Sequence, residues 1–288
     1  MSKSVVSSRV SVLASVVAFS VAELLATSTQ AALIAYEGFD YSAGTPLTGG
    51  APTGGTGWAA GWNQGSKKWG VITSGLSYPG LVVTGNNVGG KFENGADDRP
   101  GAARTLSTSI SSGTFYVSAL FRTSGFEGNN YAYSLFLRNA TVVSTAGSFG
   151  FRYDTSRPVG QQYVPVIAGS SNVNGNPLVL ASAVTGVAND STNLLVARVN
   201  MTLGTIAVFV NPTVGLTEPT PTMSAAFVNT SPINSAGVYG WQRTEQSWDE
   251  IRIGNTFADV TPMIPEPASL GLLVLGGLMT LSRRRRSH

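Results

Sequence analysis

Five acids and five aromatic rings are the residues of this chain whose types and places can carry chemistry. Asp249 and Glu250 stand side by side in Trp248-Asp249-Glu250-Ile251-Arg252-Ile253-Gly254, with Glu245 four residues before Asp249. Hydrolysis of a glycosidic bond needs two carboxylates, about 5 Å apart in the retaining geometry. Neighbours in a strand point to opposite faces, so Asp249 and Glu250 are not expected to flank one bond. Glu245 and Asp249 can share a face only if Gln246 and Ser247 continue the strand rather than turn. Glu37 and Asp40 lie near the first strand. If the terminal strands pair, these two and Asp249 come together as hard oxygen ligands of the kind that suits structural calcium. The competing reading leaves them solvated or paired with Arg252, because no Asp-x-Asp-x-Asp loop is present. Trp58, Trp62, Trp69, Tyr78 and Trp241 sit in Gly-rich or turn-like surroundings, where an exposed ring can stack on a sugar. The same rings are also the natural fillers of a core without disulfides.

What is missing narrows the chemistry further. There is no cysteine, so no disulfide, thiolate nucleophile or thiolate metal site exists. The single histidine is His288, the last residue. Once a C-terminal tail is removed, Ser-His-Asp catalysis, His-ligated zinc and imidazole pH switching are all excluded.

The sequence pI of about 9.3 invites a nucleic-acid partner, but the charge is misplaced for one. Six of the 18 basic residues (Lys3, Arg9 and Arg283 to Arg286) and two of the 15 acids (Glu23, Glu266) lie near the ends. The middle keeps twelve basic against thirteen acidic residues, with no basic stripe to neutralise phosphates. Nucleic acid is therefore not expected as a partner.

The elements that must position the acids and rings are strands. Gly occurs 34 times, and apolar runs alternate with Gly, Asn and Pro clusters. Strand signals recur at Val71 to Thr73, Leu81 to Thr84, Thr114 to Arg122, Tyr131 to Arg138, Ser148 to Tyr153 and Val164 to Ala168. In TFYVSALFR, alternation puts Phe115, Val117, Ala119 and Phe121 on the core side, and Tyr116, Ser118, Leu120 and Arg122 on the other. Asn193 to Asn200 and Gly204 to Asn211 read as a hairpin through Met201-Thr202-Leu203, with Gly204 free to take a positive φ. No helix of ordinary length is required in the middle, and the expected fold is an all-β sandwich.

The ends read as processing segments. Lys3 and Arg9 precede the largely apolar run Val10 to Ala26, and Thr29-Gln30-Ala31 offers a signal peptidase site, so residues 1–31 are expected to be a secretory signal peptide. At the other end, Pro265-Glu266-Pro267 is followed by the apolar stretch Ala268 to Ser282 and then by Arg283, Arg284, Arg285 and Arg286. Fifteen helical residues span about 22 Å, short of the roughly 30 Å of a hydrocarbon core, and four arginines hold the far end in the cytoplasm.

This tail resembles the PEP-CTERM sorting signal of Gram-negative bacteria: Pro-Glu-Pro motif, short transmembrane helix and Arg cluster are all in place over about the last 26 residues. The resemblance implies an exosortase-type membrane transpeptidase as partner, an inner-membrane intermediate, delivery to the cell surface or extracellular matrix, and an association with exopolysaccharide. Leu194 to Pro212, followed by Trp248 to Gly254, resembles the last strands of concanavalin A-like, laminin-G-type (LamG) jelly rolls, and exported PEP-CTERM proteins with such an ending begin like Tyr36-Glu37-Gly38-Phe39-Asp40-Tyr41. Concanavalin A-like glucanases commonly carry Glu-x-Asp-x-x-Glu on one strand, and that motif is absent here. The expectation is a signal peptide at 1–31, a jelly-roll β-sandwich at 32–262 and a sorting tail at 263–288. No catalytic residues are assigned. A non-catalytic glycan-binding or adhesive role is expected, with a ligand-free structural coat protein or a glycoside hydrolase as alternatives.

Overall fold

The computed structural model describes residues 33–64, 69–91, 101–124, 132–139, 145–153, 156, 158, 162–171, 177–183, 186–188, 190–215, 217–226, 232–240 and 245–264. The sandwich is a compact unit, Ala31–Met263. The expected signal peptide, the Pro265-Glu266-Pro267 motif, the apolar tail with Arg283 to Arg286, and Trp241 lie outside the described residues. Among the described residues no helix is long and apolar enough to cross a membrane.

The early strands are β1 (Leu33–Glu37), β2 (Asn63–Gln64), β3 (Gly70–Ile72), β4 (Asn87–Lys91), β5 (Gly101–Ile110), β6 (Thr114–Ser124), β7 (Ala132–Arg138) and β8 (Thr145–Tyr153). There follow β9 (Tyr163–Ser171), β10 (Pro177–Ser182), β11 (Asn193–Asn200), β12 (Thr205–Val210), β13 (Met223–Ala226), β14 (Ile233–Tyr239), β15 (Glu245–Gly254) and a single turn of helix, α1 (Phe257–Val260). They build two antiparallel sheets. One has the order β13-β12-β11-β6-β15-β4-β3, with β1 also paired to β15; the other has the order β10-β9-β8-β7-β14-β5-β2. The protein is a jelly-roll β-sandwich, and its first and last strands do pair, Tyr36 opposite Arg252 and Glu37 opposite Ile251.

Period-two alternation makes the core. Phe115, Val117, Ala119 and Phe121 of β6 all face it, as their spacing predicts, and meet Leu135, Leu137, Phe149 and Phe151 of the other sheet. The Phe121 and Phe151 rings stack across the layer at 4.8 Å between centroids. The β11–β12 hairpin closes at Asn200 opposite Thr205, with Gly204 at φ 61.

The other face of the first sheet carries a second, smaller core that alternation alone does not announce. Leu120, Leu194, Val196 and Phe209 face outward there, under Leu76 and Leu81 of the 73–86 segment and Phe257 and Val260 of α1. Leu81 to Thr84, expected as a strand, is instead part of this irregular strap; only Leu81 makes an isolated bridge, to Met263. Two of its backbone donors, Leu76 N and Thr84 N, are used on the carboxylates of Asp249 and Glu250 below it, and Val82 N donates to Pro262 O rather than to a ladder. The helix turn that completes the cover is held by a capping box: Thr256 Oγ1 accepts from Asp259 N at 3.2 Å, and the Asp259 carboxylate accepts from Thr256 N at 2.9 Å.

Candidate functional site

The acids do not form the site their positions in the sequence suggest. Glu37 points inward, to the seam between the sheets, and is fully buried. Its Oε2 accepts from Arg104 Nη1 of β5 at 2.5 Å, from Tyr41 Oη at 2.7 Å and from Trp62 Nε1 at 3.1 Å, while Oε1 accepts from Phe39 N at 2.9 Å. Arg104 in turn donates to the carbonyls of Gly54 and Ala60 and lies 5.0 Å from the Trp58 ring centroid. This ion pair joins the two sheets and fastens the Gly-rich 54–62 loop across their edge. Burial, with the neighbouring Glu37 charge, pushes the Tyr41 phenol well above its ordinary range.

Asp249 faces the opposite way. Trp248, Ile251 and Ile253 face the core, so between Trp248 and Ile251 two residues, not one, must point outward. The extra residue is a β-bulge: Asp249 pairs with Leu120 but Arg252 with Ser118, and Glu250 takes φ 54. The expectation that Asp249 and Glu250 point to opposite faces is therefore corrected. Both turn toward the strap. Asp249 Oδ2 accepts from Leu76 N at 2.7 Å, its Oδ1 accepts from Glu250 N at 2.8 Å, and Glu250 Oε1 accepts from Thr84 N at 2.5 Å. Arg252 pairs with Glu250 and donates to Val82 O at 2.5 Å. Tyr36 Oη reaches both Glu250 and Thr84. Burial, and secondarily the Glu250 charge, pushes the Asp249 carboxyl up to about 9; burial also raises Glu250, against the pull of Arg252.

Calcium held by Glu37, Asp40 and Asp249 does not fit this arrangement. The terminal strands pair, but the pairing puts Glu37 and Asp249 on opposite faces of the sheet, and Asp40 is exposed. A cation at Glu37 would face the Arg104 guanidinium. Among the described residues no group of three or more acids or histidines is placed to hold a metal. As a hydrolytic pair, Asp249 and Glu250 are both fully buried beneath the strap, and a Cβ on Gly75 would come within 3.1 Å of Asp249 Oδ2. Glu245 is exposed at the start of β15, separated from Asp249 along the strand.

Of the rings, Trp62 and Trp69 are corrected to core residues: both are at most 1% exposed, and Trp62 stacks on Phe39 at 5.5 Å. Their large apolar area fills the end of the sandwich where a disulfide is absent. Trp58 is half-buried, its Nε1 donating to Tyr36 O at 2.9 Å. Tyr78 is half-buried on the strap, with Oη donating to Pro212 O at 3.1 Å and the ring packed against the second core.

The open space lies beside the strap, on the same outward face of the first sheet. It is a groove of about 860 Å³. Its lining includes Gly89, Ser247 and Arg122 on neighbouring strands, with Ile72 and Glu245 beside them. Ile72 is 45% exposed. Gly89 keeps the surface low: a Cβ there would meet Ile72 Cδ1 at 2.3 Å. Asn87 also lines the groove. Its Nδ2 donates to Ser74 O at 2.7 Å, and its buried Oδ1 has no hydrogen-bond partner. Of the groove's lining residues, only Trp69 and Glu245 are among the candidate site residues of the sequence. One signal for the bulge that shapes the neighbouring acids was present: the apolar spacing in Trp248-Asp249-Glu250-Ile251-Arg252-Ile253 is three and then two.

No protein family matches the chain by sequence, and no curated protein sequence matches it. Among solved structures it is similar to a carbohydrate esterase from the Shiga toxin-encoding bacteriophage phi24B (12% identity, 68% of this chain and 91% of that one, TM-score 0.45). It is also similar to a structure described with endo-acting O-glycanases of the human gut microbiota (9% identity, 78% and 99%, TM-score 0.46). A third is the carbohydrate recognition domain of Emp47p (11% identity, 74% and 95%, TM-score 0.42). The sandwich assignment itself rests on the two sheets and their register.

Proposed function

We propose that this protein is exported, sorted to the bacterial surface by its C-terminal tail, and there binds glycan through the groove beside the strap without acting on it as an enzyme. The observation that carries the binding reading is the groove itself. It is open, floored by Gly89 and Ser247, and edged by the exposed Ile72 side chain and by the opposite charges of Arg122 and Glu245. A sugar presents hydroxyls and an apolar face, which the charged side chains and the aliphatic edge of the groove can meet. The non-catalytic part is supported by the burial of Asp249 and Glu250. The export part is supported by residues 1–31, whose Thr29-Gln30-Ala31 end suits signal peptidase, and the sorting part by the Pro265-Glu266-Pro267, apolar and Arg283 to Arg286 sequence, whose resemblance implies an exosortase-type transpeptidase, an inner-membrane intermediate and an exopolysaccharide setting.

The binding test is a glycan array probed with wild type and with Ser77→Trp, an exposed groove position; signal that the substitution abolishes is expected. For sorting, intact mass and fractionation should show both ends removed, and Glu266→Ala should hold the protein in the inner membrane. The rival reading, a structural coat protein, is favoured by one observation: Trp62 and Trp69 are buried, so neither offers an exposed ring for a sugar to stack on. An array without signal, from protein that still reaches the surface, decides for the coat.

A further inference from the structure

A second cleft, of about 520 Å³, adjoins the first. Thr192 lines both, and the strap passes from Ser77 in the first to Tyr78 in the second. The second cleft is built from side chains already fixed in place. Asn211, at φ 50, accepts at Oδ1 from Leu194 N (2.9 Å) and donates from Nδ2 to Asn193 Oδ1 (2.9 Å). Asn193 Nδ2 donates to Ser191 O at 3.0 Å. The Tyr78 hydroxyl is tied to Pro212 O, which fixes the ring at the step between the clefts.

We infer that the two clefts are one track, and that it takes an internal stretch of a polysaccharide chain rather than a chain end or a single sugar. This rests on the glycan reading of the first cleft. Each cleft alone has the volume of a small-molecule site, so two sharing a wall residue accommodate a chain that runs on from one to the other. Amide and hydroxyl groups held by their own hydrogen bonds lose little freedom on binding, as repeated low-affinity subsites require. The Tyr78 ring at the step offers a stacking face where the chain passes from one cleft to the next. Arg122 and Glu245 place both signs of charge in the first cleft, which suits a chain without high charge of either sign.

The test is calorimetry on the purified full-length protein with dextran, laminarin, xylan and alginate oligosaccharides, each from disaccharide to octasaccharide. For at least one neutral series, affinity is expected to rise about tenfold or more with length, roughly 1.4 kcal/mol. Ala188→Trp, at an exposed position of the second cleft, should abolish that rise, while Ser77→Trp should weaken every length. Affinity independent of length, or a rise that Ala188→Trp leaves intact, overturns the track and leaves glycan binding standing. No binding at any length overturns the track together with the reading beneath it. Thermal melts of both variants report whether the sandwich is intact.

Discussion

Removing either partner of the Glu37–Arg104 pair should cost far more than its surface counterpart elsewhere in the protein. Both side chains are at most 2% exposed, and Glu37 accepts from four donors, so neither charge has water to fall back on. In Glu37→Gln the amide must put its nitrogen where Phe39 N–H donates or where Tyr41, Trp62 and Arg104 donate; in both orientations donor meets donor. In Arg104→Met the carboxylate stays buried, and the carbonyls of Gly54 and Ala60 lose their donor. Breaking a buried pair from one side costs about 3–5 kcal/mol, which for a domain of this size lowers Tm by roughly 6–20 °C. Urea unfolding followed by tryptophan fluorescence measures it, since Trp62 sits against the carboxylate. The double variant should lose less than the sum of the two, because no lone charge remains. Losses under about 1 kcal/mol for each single change would refute the reasoning and place the pair in the class of solvated surface bridges.

Glu218→Gln is the contrasting case. Its partner Arg198 is 38% exposed, so the loss should stay below about 1 kcal/mol in the same assay, even though Tyr116 also donates to Glu218. Asp249 sets a pH dependence of the opposite sign to an ordinary salt-bridged acid. With its folded pKa raised to about 9, the native state holds a proton that the unfolded chain releases near pH 4, so stability should fall as pH rises from about 4 toward 9. Melts across that range should show the decline, and Asp249→Asn should flatten it; an unchanged slope in the variant would place the titration elsewhere. Leu76→Ala removes one of the strap's two buried leucines in the second core, where it is 6% exposed. It should cost about 2–5 kcal/mol and, by wetting the acid below, bring the Asp249 titration observed by carbon NMR down toward the ordinary carboxylate range.

Local periodicity was enough to read several strands of the main core, but not β5 or β14, which bring Ala102, Leu106, Ile233, Ala236 and Val238 into it. The alternation in Thr114 to Arg122 and the hairpin around Gly204 follow from residues close in sequence, and the structure has them; it also has the pairing of the terminal strands that the sequence offered only as a condition. The absence of cysteine and of any histidine but His288 excluded whole classes of chemistry without coordinates. What tertiary structure alone decided is where the outward-facing groups went. Leu120 and Ser118 read as solvent-facing on β6, yet a strap some forty residues earlier and a helix turn at the far end of the domain cover them, Leu120 in the second core and Ser118 bonded to Val260 O. Trp62 and Trp69 look like loop rings because their neighbours are Gly and polar residues, but burial is set by what folds over a ring, not by what flanks it. Glu37 became the partner of Arg104, sixty-seven positions away, rather than of Asp249, because the two faces of a strand belong to different environments. One inserted residue at Glu250 turned two acids onto the same side, and the groove beside them is assembled from β3, β4, β6 and β15, which only the sheet order brings together.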